Sequence, residues 1–363
     1  MRSIYVGVLG SVVLLTGCGM GVTSTSAPPA VPSISSVTPS ATGTPNSVTA
    51  LGSYEFVSEQ TTGQIFTYDT SSGVPVAIGT PYAMPCTSPS GMVITHISGE
   101  SVMAVACNDT GALVTLSVHG DGSLSALGTV NGLGVGQPYP GIALDGANVL
   151  VPLIGISGAA NGGVVKVSLA SPSAPVITGA VTLASPGPGE YENPGYLIVS
   201  NGEIYVEAGS ENSPLASSST IQVVDEATMQ LVGSPLLVAH SPQQLAVQDN
   251  VLYVTLFDAT QLETIDISNP SSLRVLETLP LNSPTLSCSA IPVVIDGTYA
   301  YVGCYSQGVI EVMDVSNPSS IRLVNTVTNI PDPERFNLVG NNLQVTSSSV
   351  GGAVFQISTA LLR

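Results

Sequence analysis

The sequence contains very little charge. Only 8% of its 363 residues are charged, with 6 Lys and Arg against 24 Asp and Glu, and the formal net charge is −18 at pH 7. Affinity for nucleic acid comes from Lys and Arg that neutralise phosphates, and docking on anionic lipid also needs basic clusters. The composition therefore excludes nucleic acid as a partner and excludes electrostatic attachment to a membrane.

Histidine and long helical patterns are also scarce. The three histidines, His96, His119 and His240, are widely separated, and no Ser or Cys elbow motif accompanies them, which argues against a three-histidine metal site and a catalytic triad. No apolar period typical of a helix persists beyond a turn or two. Short Val, Ile, Leu and Tyr runs instead alternate with segments rich in the 38 Gly and 27 Pro, which predicts an all-β protein.

The N-terminus carries an export signal. Met1 and Arg2 precede an apolar stretch, Ile4–Leu15, that is too short to span about 30 Å of bilayer hydrocarbon. The following LTGC, which ends at Cys18, resembles the lipobox of bacterial lipoproteins. The resemblance implies that residues 1–17 are a signal peptide and that Cys18 is acylated, so that the lipid bilayer is a partner of the mature chain. The alternative is an ordinary signal peptide followed by a chance cysteine.

Residues 18–44 are expected to form a linker between the lipid anchor and a folded domain. Residues 19–46 are rich in Ser, Thr, Pro, Ala and Gly and carry no charge, so they cannot bury enough apolar surface to offset their chain entropy. Gly19 replaces the Asp that retains proteobacterial lipoproteins in the inner membrane, which favours the outer membrane or cell surface. We therefore expect a lipid-anchored location in the cell envelope, on its periplasmic or extracellular side.

Internal repeats predict the architecture. The segment DISNPSSLRVL that begins at Asp266 and the segment DVSNPSSIRLV that begins at Asp314 are nearly identical and lie 48 residues apart. Weaker copies recur along the chain, which gives seven units at intervals of roughly 41–54 residues. Each unit contains four short strands, here called A to D. This period predicts a seven-bladed β-propeller of four-stranded antiparallel blades, with its domain at residues 45–363.

The seventh unit lacks a fourth strand of its own. Strands A, B and C are predicted at Phe336–Val339, Leu343–Thr346 and Ala353–Ile357, and only Thr359–Arg363 follows them. Residues 31–37 resemble the D strands of other units and are a candidate for the missing strand, which would close the ring and remove an open sheet edge. The alternative is that residues 31–37 belong to the linker.

Parts of the chain resemble two propeller families. Ile265–Pro270 and Tyr299–Val302 resemble the LVIVD-type repeats of bacterial surface propellers, whereas Tyr54–Val57, Thr80–Ala83 and Ser88–Gly91 resemble the lactonase-like family of seven-bladed propellers. The second resemblance implies a lactonase-like hydrolase. These motifs are strand and turn signals, so they specify architecture better than activity.

No catalytic set accompanies the lactonase resemblance. The anionic substrates of some lactonases need cations in the pocket, and Arg335 is the only cation of the mature chain expected at the ligand face. The sequence contains no Trp, which counts against propellers that stack a quinone cofactor on Trp. We therefore expect a binding or scaffolding module without catalytic residues or a cofactor. The alternatives are the hydrolase and a structural spacer or surface antigen without a specific ligand.

Binding is expected at the face that carries the D–A and B–C connections, because function usually resides in loops longer than closure requires. The candidate residues on this face are Tyr82, Tyr139, Glu190, Tyr191, Glu192, Glu211, His240, Asp258, Tyr305 and Arg335. The carboxylates of this set could offer oxygen ligands to Ca²⁺, although no EF-hand-like spacing is present. The alternative is that they keep a weakly charged surface soluble. The partner, an envelope protein or a small ligand, is not identified by the sequence.

The repeat register also assigns structural roles. Cys107 and Cys304 end strand B of units two and six, and Cys86 and Cys288 lie just before strand A of the same units. Because strands A and B are antiparallel neighbours, the end of B lies beside the entry to A, which predicts the disulfides Cys86–Cys107 and Cys288–Cys304. The alternative is four buried free thiols. A column of aspartates after strand C is expected to form Asx-turns rather than a metal site: Asp69, Asp225, Asp266 and Asp314.

Overall fold

The chain folds as a ring of seven antiparallel sheets. The computed structural model describes residues 34–134, 137–138, 141–154, 161–185, 192–210, 219–238, 241–283, 286–349 and 351–363. Each of the seven sheets is built on four strands, which confirms the seven-bladed β-propeller predicted from the repeats. The described helices are two single 3₁₀ turns, Tyr305–Gln307 and Thr359–Leu361. Among the described residues, no helix has the length and hydropathy needed to cross a membrane.

Strands A to D follow one another in the sequence of the first six blades. Blade one contains Pro45–Leu51, Tyr54–Glu59, Gln64–Asp69 and Val76–Ala77, and blade two contains Pro89–Ile97, Glu100–Cys107, Ala112–Val118 and Leu124–Val130. Blade three contains Ala143–Asp145, Asn148–Ile154, Gly163–Ser168 and Val176–Thr182, and blade four contains Glu192–Ser200, Glu203–Ser210, Ser219–Asp225 and Gln230–Val238. Blade five contains Pro242–Gln248, Val251–Leu256, Gln261–Asp266 and Arg274–Pro280, and blade six contains Ala290–Asp296, Tyr299–Cys304, Val309–Asp314 and Arg322–Thr328.

Blade seven combines the two ends of the described chain. Its strands A, B and C are Pro333–Val339, Asn342–Ser347 and Val354–Ser358. Its strand D is Ile34–Val37, which pairs antiparallel with strand C from Ile34 opposite Ile357 to Val37 opposite Val354. Residues 34–37 of the candidate segment 31–37 therefore close the ring. Residues 31–33 and Cys18 lie outside the described residues.

Two blades depart from the regular pattern. In blade three, two separate segments, Gln137–Pro138 and Ala143–Asp145, pair with strand B. In blade one, a second short segment, Tyr82–Ala83, pairs with strand C beyond Val76–Ala77. A small hairpin formed by Asn282–Ser283 and Leu286–Ser287 lies between blades five and six.

Local sequence explains the tight turns that join strands A and B. In blade six the two-residue turn between Asp296 and Tyr299 places Gly297 at a φ of 62°, a conformation that costs glycine little. In blade five the corresponding position is Asp249, with a φ of 53°. Aspartate is among the side chains that tolerate this region, so the repeat preserves its turn without a glycine.

Apolar side chains hold neighbouring blades together. Alternation along each strand directs side chains to the two faces of a blade, and the buried apolar residues form a cluster at each interface between consecutive blades. The cluster between blades seven and one, where the ring closes, is the smallest. Its buried members are Val48, Val57, Tyr68 and Val354.

The aspartate column forms the predicted Asx-turns. Asp69, Asp266 and Asp314 each accept a hydrogen bond from the backbone N–H two residues ahead, at 2.8, 3.0 and 3.0 Å, and Asp225 accepts one from Thr228 at 2.7 Å. Hydrogen bonds from Ser268 are the main cause that lowers the pKa of Asp266 to about 2. These carboxylates therefore organise the turns between strands C and D.

Candidate binding face

Five blades have their loops tied together at one end of the ring. The D–A and B–C connections meet at this end because strands A and B run antiparallel. The residue that follows strand B donates its backbone N–H to a carbonyl oxygen of the preceding D–A connection, at N–O distances of 2.9–3.2 Å. These bonds join Gln60 to Thr44, Asn108 to Ser88, Phe257 to Ser241, Tyr305 to Ser289 and Ser348 to Asp332. We call the D–A and B–C connections of blades one, two, five, six and seven the tied-loop face.

Carboxylates add a second tie in several of these blades. In blade two, Asp109 accepts hydrogen bonds from the Thr87 hydroxyl at 2.7 Å and from the Thr87 backbone at 2.9 Å. In blade five, Asp258 accepts a 2.5 Å bond from the Ser241 hydroxyl. In blade seven, the hydroxyl of Ser349 donates to the carboxylate of Asp332. The loops of the tied-loop face are therefore held by their own side chains as well as by backbone bonds.

Both predicted disulfides lie in the tied-loop face. The Cα atoms of Cys86 and Cys107 are 6.0 Å apart in blade two, and those of Cys288 and Cys304 are 4.9 Å apart in blade six. The four cysteines are at most 4% exposed. Each bridge fastens a D–A connection to the end of strand B, as the repeat register predicts.

Blade four carries a buried pair of carboxyl groups near the centre of the ring. Glu192, the first residue of strand A, is fully buried and accepts hydrogen bonds from Thr220 Oγ1 at 2.6 Å and Gln222 Nε2 at 3.3 Å. Glu207 on strand B fills an irregularity in strand A between Pro194 and Leu197. Burial raises the pKa of Glu207 well above its usual range, although the backbone N–H groups of Tyr196 and Gly195 donate to the carboxyl group and oppose the shift.

Glu207 was missed by the sequence reasoning, although the repeats contain a signal for it. Strand A has a similar register shift in five other blades, and each has a strand B residue opposite the shift, as Glu207 is in blade four. In blades one, two, five, six and seven these residues are Ser58, Ala106, Thr255, Gly303 and Thr346. Small or hydroxyl side chains suit the site, and Ser58 and Thr255 accept backbone N–H groups there at 3.1 Å. A glutamate at this position distinguishes blade four from these five blades.

Arg335 reaches across the ring to blade four. It lies on strand A of blade seven, and its guanidinium carbon is 4.7 Å from the centre of the Tyr196 ring on strand A of blade four. Arg335 also pairs with Glu334 at 2.8 Å, and its positive charge opposes the raised pKa of Glu207. Arg335 is 9% exposed and Tyr196 is 8% exposed, so this contact fills the centre of the ring rather than lining an open pocket.

The structure divides the predicted face residues into three groups. Asp258 and Tyr305 lie in B–C turns of the tied-loop face, and Tyr305 accepts a 3.2 Å hydrogen bond from Ser348 of blade seven. Tyr82 also lies in the tied-loop face, in the D–A connection that enters blade two, where it pairs with strand C of blade one beside a hollow of about 370 Å³. Glu192 and Arg335 are buried at the centre. The remaining five lie outside the described residues: Tyr139, Glu190, Tyr191, Glu211 and His240.

Every lysine and arginine among the described residues is paired with a carboxylate. The pairs are Lys166 with Glu226, Arg274 with Asp266, Arg322 with Asp314, Arg335 with Glu334 and Arg363 with Asp296. A site for an anionic substrate needs a cation that is free to pair with it. The described part of the chain therefore favours neutral or cationic ligands over anionic ones.

Comparisons with known proteins support the architecture. The LVIVD repeat family matches residues 241–279 and 288–329, which correspond to blades five and six. No curated protein sequence is significantly similar to the chain.

Solved structures share the fold at low sequence identity. Hydrazine synthase from Kuenenia stuttgartiensis is 15% identical, with a TM-score of 0.69, and the match covers 88% of this chain and 96% of that one. Virginiamycin B lyase from Staphylococcus aureus is 12% identical, with a TM-score of 0.63 and coverages of 90% and 98%. A periplasmic gluconolactonase from Pseudomonas aeruginosa is 14% identical, with a TM-score of 0.62 and coverages of 87% and 96%. At these identities the similarity establishes a shared fold and leaves activity open.

Proposed function

We propose that this protein is a non-catalytic binding module, anchored in the cell envelope through acylated Cys18, that binds a basic protein surface with its tied-loop face. The observation that carries the proposal is the set of backbone bonds, carboxylate bonds and disulfides that fix the loops of this face. Loops that are ordered before binding lose less conformational entropy when a partner docks. A pre-organised loop face is what a protein-binding platform requires.

Charge favours a basic partner. Removal of residues 1–17 takes Arg2 with it and leaves five Lys and Arg against 24 Asp and Glu, a net charge of −19. Asp109, Asp258 and Asp332 lie in the tied-loop face, and the five cations of the described chain already have carboxylate partners. Complementary charge speeds encounter and selects partners, so we expect binding to weaken as salt is raised.

Anchoring rests on the lipobox that ends at Cys18. An acylated Cys18 followed by an uncharged linker would hold the propeller close to a bilayer while leaving its faces accessible. Metabolic labelling with palmitate should mark the wild-type protein and not the Cys18→Ser variant. Label that persists in Cys18→Ser would reject the anchoring.

Site-specific photocrosslinking in the native envelope tests the binding face. A benzophenone amino acid is placed at Ser306, an exposed residue of the B–C turn of blade six, or at Thr298, an exposed residue of the A–B turn at the opposite end of the same blade. We expect a discrete protein adduct from position 306 that decreases with added salt, and little from position 298. Equal adducts from both positions, or none from position 306, would contradict the proposal.

The buried Glu207 supports a second candidate, a lactonase-like hydrolase. A carboxyl group whose pKa is raised by burial, near Arg335, could act as a general acid, and the gluconolactonase of Pseudomonas aeruginosa has the same fold. Hydrolysis of gluconolactone is measured for the wild type and for Glu207→Gln. A rate above the uncatalysed reaction that falls in Glu207→Gln would favour the hydrolase, and no acceleration by the wild type would reject it for this substrate.

A further inference from the structure

Glu311 lies beside the disulfide of blade six. This residue of strand C is 1% exposed, and one of its carboxylate oxygens and the sulfur atoms of Cys288 and Cys304 all lie within 4.8 Å of one another. Cys288 and Cys304 belong to the apolar cluster between blades five and six. The three ligand atoms therefore lie close enough together to surround one metal ion once the S–S bond is broken.

The repeats contain two natural comparisons for this arrangement. The disulfide of blade two occupies the same register, but the residue that corresponds to Glu311 is Val114, which belongs to the same apolar cluster as Cys86 and Cys107. In blade five the corresponding residue is Glu263, whose carboxylate accepts a 3.2 Å hydrogen bond from Thr278. Of the two disulfides in the described part of the chain, the one in blade six is accompanied by a glutamate at this position.

We propose that reduction of Cys288–Cys304 creates a binding site for a borderline divalent cation such as Zn²⁺, with the two sulfurs and Glu311 as ligands. A dithiol reductant supplies two electrons and two protons, which break the S–S bond and form two thiols while the reductant becomes a disulfide. The cation then displaces the two thiol protons to solvent and forms two metal–sulfur bonds and one metal–oxygen bond. In the oxidised protein the two sulfurs are bonded to each other, so they cannot act as thiolate ligands.

The ligand chemistry selects the class of metal. Thiolates suit Zn²⁺ and related ions, whereas Ca²⁺ and Mg²⁺ prefer oxygen ligands throughout. Two thiolates and a buried carboxylate in one cluster repel one another strongly, and a divalent cation removes that repulsion. In blade two, where Val114 replaces the glutamate, the reduced pair offers two ligands and binds less tightly. This inference does not depend on the proposed partner-binding function.

Cobalt titration of the reduced mature chain tests the proposal, because Co²⁺ bound to thiolate gives a charge-transfer absorption and is displaced by Zn²⁺. The protein is reduced with dithiothreitol and desalted without oxygen. The Cys86→Ala/Cys107→Ala variant should bind one Co²⁺ per chain after reduction and none before it. The Cys288→Ala/Cys304→Ala variant, which keeps the blade two pair, should show at least about tenfold weaker binding, a difference of about 1.4 kcal/mol.

Substitutions of Glu311 and Glu263 test whether Glu311 is a metal ligand or only a structural residue. Glu311→Val, which copies blade two, and Glu311→Gln should each weaken Co²⁺ binding at least about tenfold, whereas the matched control Glu263→Gln should leave it unchanged. Far-UV circular dichroism monitors the fold of every reduced variant. Absence of thiolate charge transfer, equal binding by the two cysteine double variants, wild-type affinity in both Glu311 variants, or loss of the β-sheet spectrum on reduction would each overturn the proposal.

Discussion

Gln344 of blade seven donates a 2.8 Å hydrogen bond to the carboxyl group of Glu55 in blade one. Both residues are almost fully buried, and Asn337 in turn donates to the Gln344 side-chain oxygen at 2.7 Å. The bond joins the first and last blades, where the apolar cluster is smallest. Polar contacts therefore contribute a larger part of the cohesion at this interface than between other blades.

The stability of the ring should depend on pH through Glu55. Burial raises the pKa of Glu55 from 4.5 to about 7, although the hydrogen bond from Gln344 opposes the shift. The folded state therefore holds the proton more tightly than the unfolded state. The stabilisation by this proton is fully present below about pH 4.5 and is lost as the pH rises through about 7, with a span of about 3 kcal/mol.

Replacement of Glu55 isolates this contribution. The Glu55→Gln variant should be more stable than the wild type at pH 8 and similar to it near pH 4.5, as measured by the free energy of unfolding in urea. Taking the difference between variant and wild type removes other pH-dependent groups such as Glu207. The exposed Glu100→Gln substitution is the control and should not change the slope. A difference between Glu55→Gln and wild type that does not vary with pH would contradict the assignment.

The disulfides should stabilise the fold by similar amounts. They span sequence separations of 21 and 16 residues, so the chain-entropy model gives about 3 kcal/mol for each. Denaturant unfolding of the Cys86→Ala/Cys107→Ala and Cys288→Ala/Cys304→Ala variants measures these values. Non-reducing peptide mapping of the wild type should find the peptides 86/107 and 288/304 linked. Linked peptides 86/288 or 86/304, or complete alkylation without reductant, would show that the pairing is different in solution.

The features predicted from the sequence are those that the register of the repeats determines. Seven blades, the turns at Asp266 and Asp314 and both cysteine pairs follow from a register that one blade shares with the next. The contact between Arg335 and Tyr196 could not be predicted in this way, because it joins blades four and seven across the ring and depends on side-chain reach. The pairing of Tyr82–Ala83 with strand C of blade one was not predicted either, because it departs from the four-strand pattern of the repeat.

The closing strand should be required for full stability. A chain that begins at Pro45 lacks Ile34–Val37, so strand C of blade seven would keep an unpaired edge. We expect it to unfold with a free energy lower by about 3 kcal/mol than a chain that begins at Ser33, because four residue pairs of the ladder are lost. Thermal unfolding followed by circular dichroism compares the two. Equal midpoints would show that Ile34–Val37 contributes little to ring closure.

The contact between Arg335 and Tyr196 should be energetically stronger than a similar contact at the surface. Arg363 lies 5.1 Å from the centre of the Tyr299 ring, but its side chain is 40% exposed, whereas that of Arg335 is 11% exposed. A cation over an aromatic ring is worth about 0.5–1 kcal/mol at exposed sites and about 2 kcal/mol when desolvated.

Double-mutant cycles with Arg335→Met and Tyr196→Leu, and with Arg363→Met and Tyr299→Leu, measure the two coupling energies by urea unfolding. We expect the first to exceed the second by about 1 kcal/mol, because water screens the surface pair. Equal couplings would show that burial at the centre of the ring does not strengthen the contact, and that Arg335 acts mainly through its carboxylate partners.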